Sequence, residues 1–198
     1  VLATSKILVI GVFSAIAAIL MVLEFPVPFA PSFYGLDFSE LPALIGAFAY
    51  GPVAGVMIEF CKILIKLVLK PSSTAFVGEL ANFSISCMLV LPASVIYLFK
   101  KSRKQAILGT VVGTLIMTAF GSCFNAIYLL PKFSELYGIP LDAIIGMGTA
   151  INPAIHSISG LVLMCVVPLN LLKGGLVSLI TILVYKKLSP ILKAAHKQ

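Results

Sequence analysis

The chain has 198 residues, of which 60% are hydrophobic and only 11% charged, and its mean hydropathy is +1.13. Soluble domains carry about 25% charged residues, so this composition excludes an ordinary soluble domain and indicates a polytopic membrane protein in a lipid bilayer. The net charge of +7 is no argument for nucleic acid: most basic residues sit in short clusters beside apolar runs, as cytoplasmic loops do.

Hydropathy divides the chain into six spans within one membrane domain, residues 1–198. The first covers about residues 6–23 and stops at Glu24; its apolar stretch is too long for a signal-peptide core, and no A-x-A site follows. Gly11, Ala15 and Ala18 share one helix face, with Ser14 beside it. Gly11-xxx-Ala15 and Ser14-xxx-Ala18 are small-residue pairs that allow close helix approach, to a partner or within the bundle.

A first outer loop follows, stiffened by Pro26, Pro28 and Pro31 and carrying Phe25, Phe29, Phe33 and Tyr34. Its aromatics and free backbone groups suit a lid over a flat ring. Asp37 and Glu40, three apart, read as an N-cap and its capping-box partner for the second span. That span is short, residues 38–50, and breaks at Gly51-Pro52.

The third span covers residues 53–69 and ends at Pro71-Ser72-Ser73. Lys62, Lys66 and Lys70 form an i, i+4, i+8 stripe on it, with Glu59 three residues before Lys62. The stripe reads as snorkelling plus a Glu59–Lys62 ion pair, or alternatively as a wet or partner-facing groove. The fourth span, residues 76–99, leads to the basic link Lys100, Lys101, Arg103 and Lys104. The fifth covers residues 106–130.

Residues 131–167 form the one long connection, cut by turn signals at Gly138-Ile139-Pro140 and Asn152-Pro153. They read as an outer loop with one or two short helices lying on the bundle, or as containing a re-entrant segment. The sixth span, residues 168–185, precedes a tail with Lys186, Lys187, Lys193 and Lys197. The two basic clusters fall on one side of a six-span bundle, which places both termini in the cytoplasm.

This topology brings polar residues to a common depth. Glu79 and Asn82 lie in the first two turns of span four, Asn125 about five residues from the end of span five, and Asn170 and Lys173 two and five residues into span six. At about 1.5 Å per residue, all five lie within roughly 10 Å of the outer boundary. Each alone has an ordinary structural role: snorkelling for Lys173, a dipole-favoured first-turn acid for Glu79, interhelical glue for an asparagine. Glu79 and Lys173 also read as mutual neutralisers. The shared depth is what argues for an outward-opening pocket. Its donors and acceptors suit a polyhydroxylated chain, and its aromatic wall a planar heterocycle.

Several chemistries have no residues to run them. The chain lacks a GxxxxGK[ST] phosphate loop, HExxH and GxSxG, and its two histidines are isolated. Cys61, Cys87, Cys123 and Cys165 are widely spaced in apolar surroundings and read as core residues, with no metal or disulfide chemistry. These absences argue against an enzyme, and active transport needs energy from ions or a partner. A proton- or sodium-coupled carrier using Glu79, and a structural membrane protein with a merely adhesive polar cluster, are the competing readings.

The segments FPVPFAP, LDFSELPALIGAFAYGPVAG, GELANF, NAIYLLP and VVPLNLLKGG resemble the substrate-binding S-components of energy-coupling factor (ECF) transporters, specifically the riboflavin-binding branch, over nearly the whole chain. The resemblance implies a six-helix bacterial cell-membrane protein that takes riboflavin as transported ligand, with no cofactor. It also implies docking, through the small-residue face of the first helices, on a transmembrane coupling subunit driven by two ATPases. By motif it carries ligand contacts onto backbone near Leu36 and Asp37, and onto Glu79, Asn82, Asn125, Asn170 and Lys173. Ring contacts fall to loop one and Asn125, ribityl contacts to the remaining four. In place of the family's AxxxA, helix one has Gly11-xxx-Ala15 or Ser14-xxx-Ala18.

Overall fold

A computed structural model describes the backbone of residues 2–197 and the side chains of residues 4, 6–184 and 187. The side chains of Lys186, Lys193 and Lys197 in the basic tail lie outside the described residues.

The fold is helical. Helix α1, Leu2–Val22, packs Ser14, Ala17 and Ala18 into the bundle and leaves Leu8, Val12, Ile16 and Ile19 exposed. Outward apolar faces of this kind recur, as at Leu108, Val111 and Leu115 or Leu179 and Leu183. Water would not tolerate so much continuous apolar surface, whereas acyl chains match it. Loop one, read from the sequence as a proline-stiffened outer loop, contains regular structure. Phe25–Pro26 (β1) and Gly35–Leu36 (β2) pair antiparallel, closing the loop into a small hairpin.

Helix α2, Glu40–Tyr50, has eleven residues and meets α3, Pro52–Leu69, at Gly51. Gly51 sits at φ 93°, a conformation open to a residue without Cβ, and Pro52 then occupies the first turn of α3. Helix α4, Val77–Phe99, packs most extensively on α5, Arg103–Phe124. Gly109 and Gly113 make this possible: a Cβ on either would stand 2.5 Å from the carbonyl oxygen of Ala93 or Leu89. Ser102 caps α5 by accepting from the Gln105 amide.

The largest departure from the sequence reading concerns residues 125–167. The fifth helix does not stop near Leu130. It passes through a π-turn, Asn125–Leu129, into α6, Leu130–Tyr137. After α7, Leu141–Thr149, the last helix starts not at Pro168 but with α8, Ile158–Leu161, capped by Ser157. It then passes through a second π-turn, Val162–Val166, into α9, Val167–Lys197.

Each π-turn stands just before a proline, Pro131 and Pro168, which the sequence reading took as boundaries. Proline removes a helical N–H and crowds the carbonyl four residues back. A wider turn relieves that conflict and lets the helix continue. Among the described residues, three continuous helical stretches are long and apolar enough to cross a membrane: Val77–Phe99, Arg103–Tyr137 and Ile158–Val184.

Asn125 therefore lies twelve residues before Tyr137, and Asn170 twelve after Ile158. Both stand roughly 18 Å from those helix ends at about 1.5 Å per residue, deeper than the span count placed them. Each now stands twelve residues from its helix end, so the two residues lie level with each other.

Candidate functional site

Five ionisable side chains meet where α2, α3, α9 and loop one converge. Asp37 Oδ1 accepts from the Ser39 amide at 2.8 Å, which turns the chain into α2, and its Oδ2 lies 2.9 Å from Lys173 Nζ. Glu40 Oε1 accepts from Lys173 Nζ at 2.8 Å and from Ser86 Oγ at 2.6 Å. Behind them Lys62 Nζ reaches Glu59 Oε2 at 2.5 Å, Ser39 Oγ at 3.0 Å and Glu40 Oε1 at 4.0 Å.

This overturns two expectations. Asp37 and Glu40 do not form a capping box, since Ser39 is the N-cap residue and makes no side-chain cap bond; both carboxylates instead hold Lys173. Nor does Lys173 neutralise Glu79. Burial alone would raise the Asp37 pKa, but the ammonium groups of Lys173 and Lys62, with hydrogen bonds from Ser39 and Lys173, hold it below the usual carboxylate range.

Glu79 organises the turn between α3 and α4. Its Oε1 pairs with Lys66 Nζ at 2.5 Å, and its Oε2 accepts from Ser72 Oγ at 2.8 Å and Thr74 Oγ1 at 3.1 Å. Ser72 Oγ also receives the Phe76 amide, which supports positive φ at Ala75 and Phe76. Lys70 pairs with Glu24 at 3.4 Å. The lysine stripe on α3 is thus a ladder of ion pairs rather than a snorkelling row, and Lys66 and Lys70 line a cavity.

That cavity measures about 660 Å³. Its exposed rim carries Glu24, Lys70, Ser73 and Tyr137, and its buried end presents Asp37, Ser86, Asn125, Asn170 and Lys173. Between them runs an apolar and aromatic wall that includes Phe33, Tyr34, Leu129, Phe133 and Val166. Both π-turns contribute to it, through Leu129 and Val166.

Asn125 is held from both sides: its Oδ1 accepts from Tyr34 Oη at 2.8 Å, and its Nδ2 donates to the Gly121 carbonyl at 2.7 Å. Burial, reinforced by nearby Cys165, pushes the Tyr34 phenol up, so it serves as a neutral donor. The Asn170 amide fits because residue 121 is glycine; a Cβ there would stand 2.8 Å from Asn170 Nδ2. Asn82 Oδ1 is buried with no hydrogen-bond partner.

Of the seven residues expected in the site, Asp37, Glu79, Asn82, Asn125, Asn170 and Lys173 line this one cavity. Leu36 does not; it packs, half-buried, on the outer core, and Gly35 and Asp37 line the cavity beside it. Sequence reasoning placed Tyr34 only generally, in an aromatic lid, and missed Ser86 and Phe133 as lining residues. Loop aromatics and a mid-helix serine carry no spacing signal. The expected docking face divides as well. Ser14 and Ala18 are buried inside the bundle, whereas Gly11 and Ala15 are exposed. Among the described residues no His, Cys, Asp or Glu group is arranged to hold a metal ion.

Residues 5–185 match the family model described as ECF transporter, substrate-specific component. The chain belongs to this family. As an ECF substrate-specific component it is a transport subunit rather than an enzyme, and a bacterial membrane protein. It is 34% identical over 188 residues to the riboflavin transporter RibU of Staphylococcus aureus (strain TCH60), covering 95% of this chain and 92% of that protein. The riboflavin transporter FmnP of Bacillus subtilis (strain 168) is 31% identical over 93% of this chain and 92% of its own length. Among solved structures, the S component of a bacterial ECF transporter superposes with a TM-score of 0.74 at 34% identity, covering 96% of this chain and 99% of that one. The substrate-specific component thus shares its helical arrangement with that structure over almost its full length.

Proposed function

We propose that this chain is the riboflavin-capturing subunit of an ATP-driven ECF transporter. The observation that carries the reading is the cavity itself. Its apolar and aromatic wall grades into a buried row of asparagines, a serine and a lysine, the two surfaces that a planar heterocycle with a hydroxylated chain needs. Relatives named as riboflavin transporters support the same ligand.

In this reading loop one and Asn125 hold the ring, while Asn82, Asn170 and Lys173 meet the ribityl hydroxyls. Glu79 contributes mainly by fixing the α3–α4 turn at the rim, since Lys66, Ser72 and Thr74 already occupy its carboxylate. That engagement also weighs against Glu79 as the coupling acid of a self-sufficient carrier. The long helices, with α1, α2 and α3, make six spans in a single multi-pass domain, the termini in the cytoplasm and the cavity opening outward. Gly11 and Ala15 face a transmembrane coupling subunit that works with two ATPases.

The direct test is the visible absorption spectrum of the chain purified in mild detergent. A flavin that co-purifies and exchanges with added riboflavin is the expected outcome. A colourless protein that also fails to quench added riboflavin fluorescence would overturn the assignment.

A further inference from the structure

Beneath the cavity the charges do not balance. Asp37, Glu40 and Glu59 bring three carboxylates, while Lys62 and Lys173 bring two ammonium groups. The Glu59 and Lys62 side chains are 0% exposed and Glu40 is 1% exposed. With every group ionised, one negative charge would be stored uncompensated inside the bundle. Loss of a proton from either lysine would only deepen the excess.

A buried carboxylate without compensation takes up a proton rather than remain charged. Two oxygens are placed to carry it. Glu40 Oε2 and both Glu59 oxygens are buried without a hydrogen-bond partner; Glu59 Oε2 is held in the ion pair with Lys62 and Glu40 Oε1 by Lys173 and Ser86, which leaves Glu40 Oε2 and Glu59 Oε1. Cys87 on α4 also faces Glu59, and α1 carries only Lys6, which takes no part in the cluster's contacts. The lack of any metal-holding group among the described residues favours a proton over a metal cation as the balancing charge.

We infer that Glu40 and Glu59, bridged by Lys62, form a proton-binding pair that holds one proton and neutralises the charge cluster supporting Lys173. The proton belongs to the pair rather than to one residue, because both carboxyls interact with the same ammonium. Its role is to let Lys173 keep two carboxylate partners at the cavity end without leaving net charge in the bundle.

The test is infrared spectroscopy of the full chain in lipid at neutral pH, with and without ¹³C-carboxyl-labelled glutamate. The expected result is a protonated carboxylic-acid carbonyl band that moves with the label. It should persist in Glu24→Gln, Glu79→Gln and Glu135→Gln, which change the chain's three other glutamates. It should vanish in Glu40→Gln and in Glu59→Gln, since either substitution balances the charges without a proton. Absence of a label-sensitive acid band in the folded wild-type chain overturns the proposal. So does a band that survives Glu59→Gln, or one lost on changing any of the other three. None of these readouts depends on which ligand the cavity takes.

Discussion

Tyr34 in loop one donates its phenolic hydrogen to Asn125 on the fifth helix at 2.8 Å, and so joins a proline-rich loop to the floor of the cavity it covers. The same asparagine spends its amide on the Gly121 carbonyl, which fixes the orientation of its oxygen toward the loop. Tyr34→Phe keeps the ring's packing and removes only this bond. A neutral hydrogen bond is worth about 1 kcal/mol, so riboflavin should bind about fivefold more weakly while the fold persists. Fluorescence-quenching titration measures the change; an unaltered affinity would show that the Tyr34–Asn125 bond has no part in capture.

Asn170 and Lys173 should separate in a way their shared helix face conceals. Asn170→Ala removes an amide with no hydrogen bond among the described residues, so binding should fall with little loss of stability. Lys173→Ala strips the cation from Asp37 and Glu40. Breaking a buried ion pair on one side costs about 3–5 kcal/mol, so this variant should lose thermal stability as well as binding. The triple variant Lys173→Met/Asp37→Asn/Glu40→Gln, which leaves only the Glu59–Lys62 pair charged, should regain much of the stability and none of the binding. Melting curves in detergent alongside ligand titrations distinguish these outcomes.

Helix α5 should tolerate no side chain where it meets α4. Gly109→Ala and Gly113→Ala each place a methyl 2.5 Å from a backbone oxygen that cannot rotate away. Overpacking of this kind costs about 1–3 kcal/mol, visible as a lower melting temperature. Gly175→Ala on α9 meets nothing within 4 Å and serves as the control, expected to be neutral or slightly stabilising.

Gly11→Leu and Ala15→Leu alter an exposed strip of α1 remote from the cavity lining. They should leave riboflavin affinity unchanged and abolish ATP-dependent uptake in vesicles containing the complete transporter. Full uptake by both variants would move the docking face elsewhere. Ser14→Leu should fail earlier, by misfolding, because Ser14 is buried and donates to the Ile10 carbonyl.

Local sequence determined the class and most of the helices. Composition alone demanded a membrane, Gly51-Pro52 marked the α2–α3 break, and the polar residues that interrupt apolar runs marked five of the seven expected site positions, Leu36 and Asp37 coming from the family resemblance. Those features are legible because a charge or amide inside an apolar helix is expensive wherever the helix ends up. Helix ends at prolines were not legible. Pro131 and Pro168 look like stops until a π-turn removes the conflict, and a π-turn leaves no mark in the residues themselves.

Pairing was decided only in three dimensions. Nothing in the chain says that Lys173 chooses Asp37 and Glu40 over Glu79, that Lys66 takes Glu79, or that Tyr34 finds Asn125. Charge type fixes which partners are acceptable, but partner identity depends on which side chains the packing of α2, α3, α4 and α9 brings within about 3 Å of one another. The tight α4–α5 seam at Gly109 and Gly113 and the short α2 settle those distances, and with them which lysine stands in the cavity and which lies beneath it.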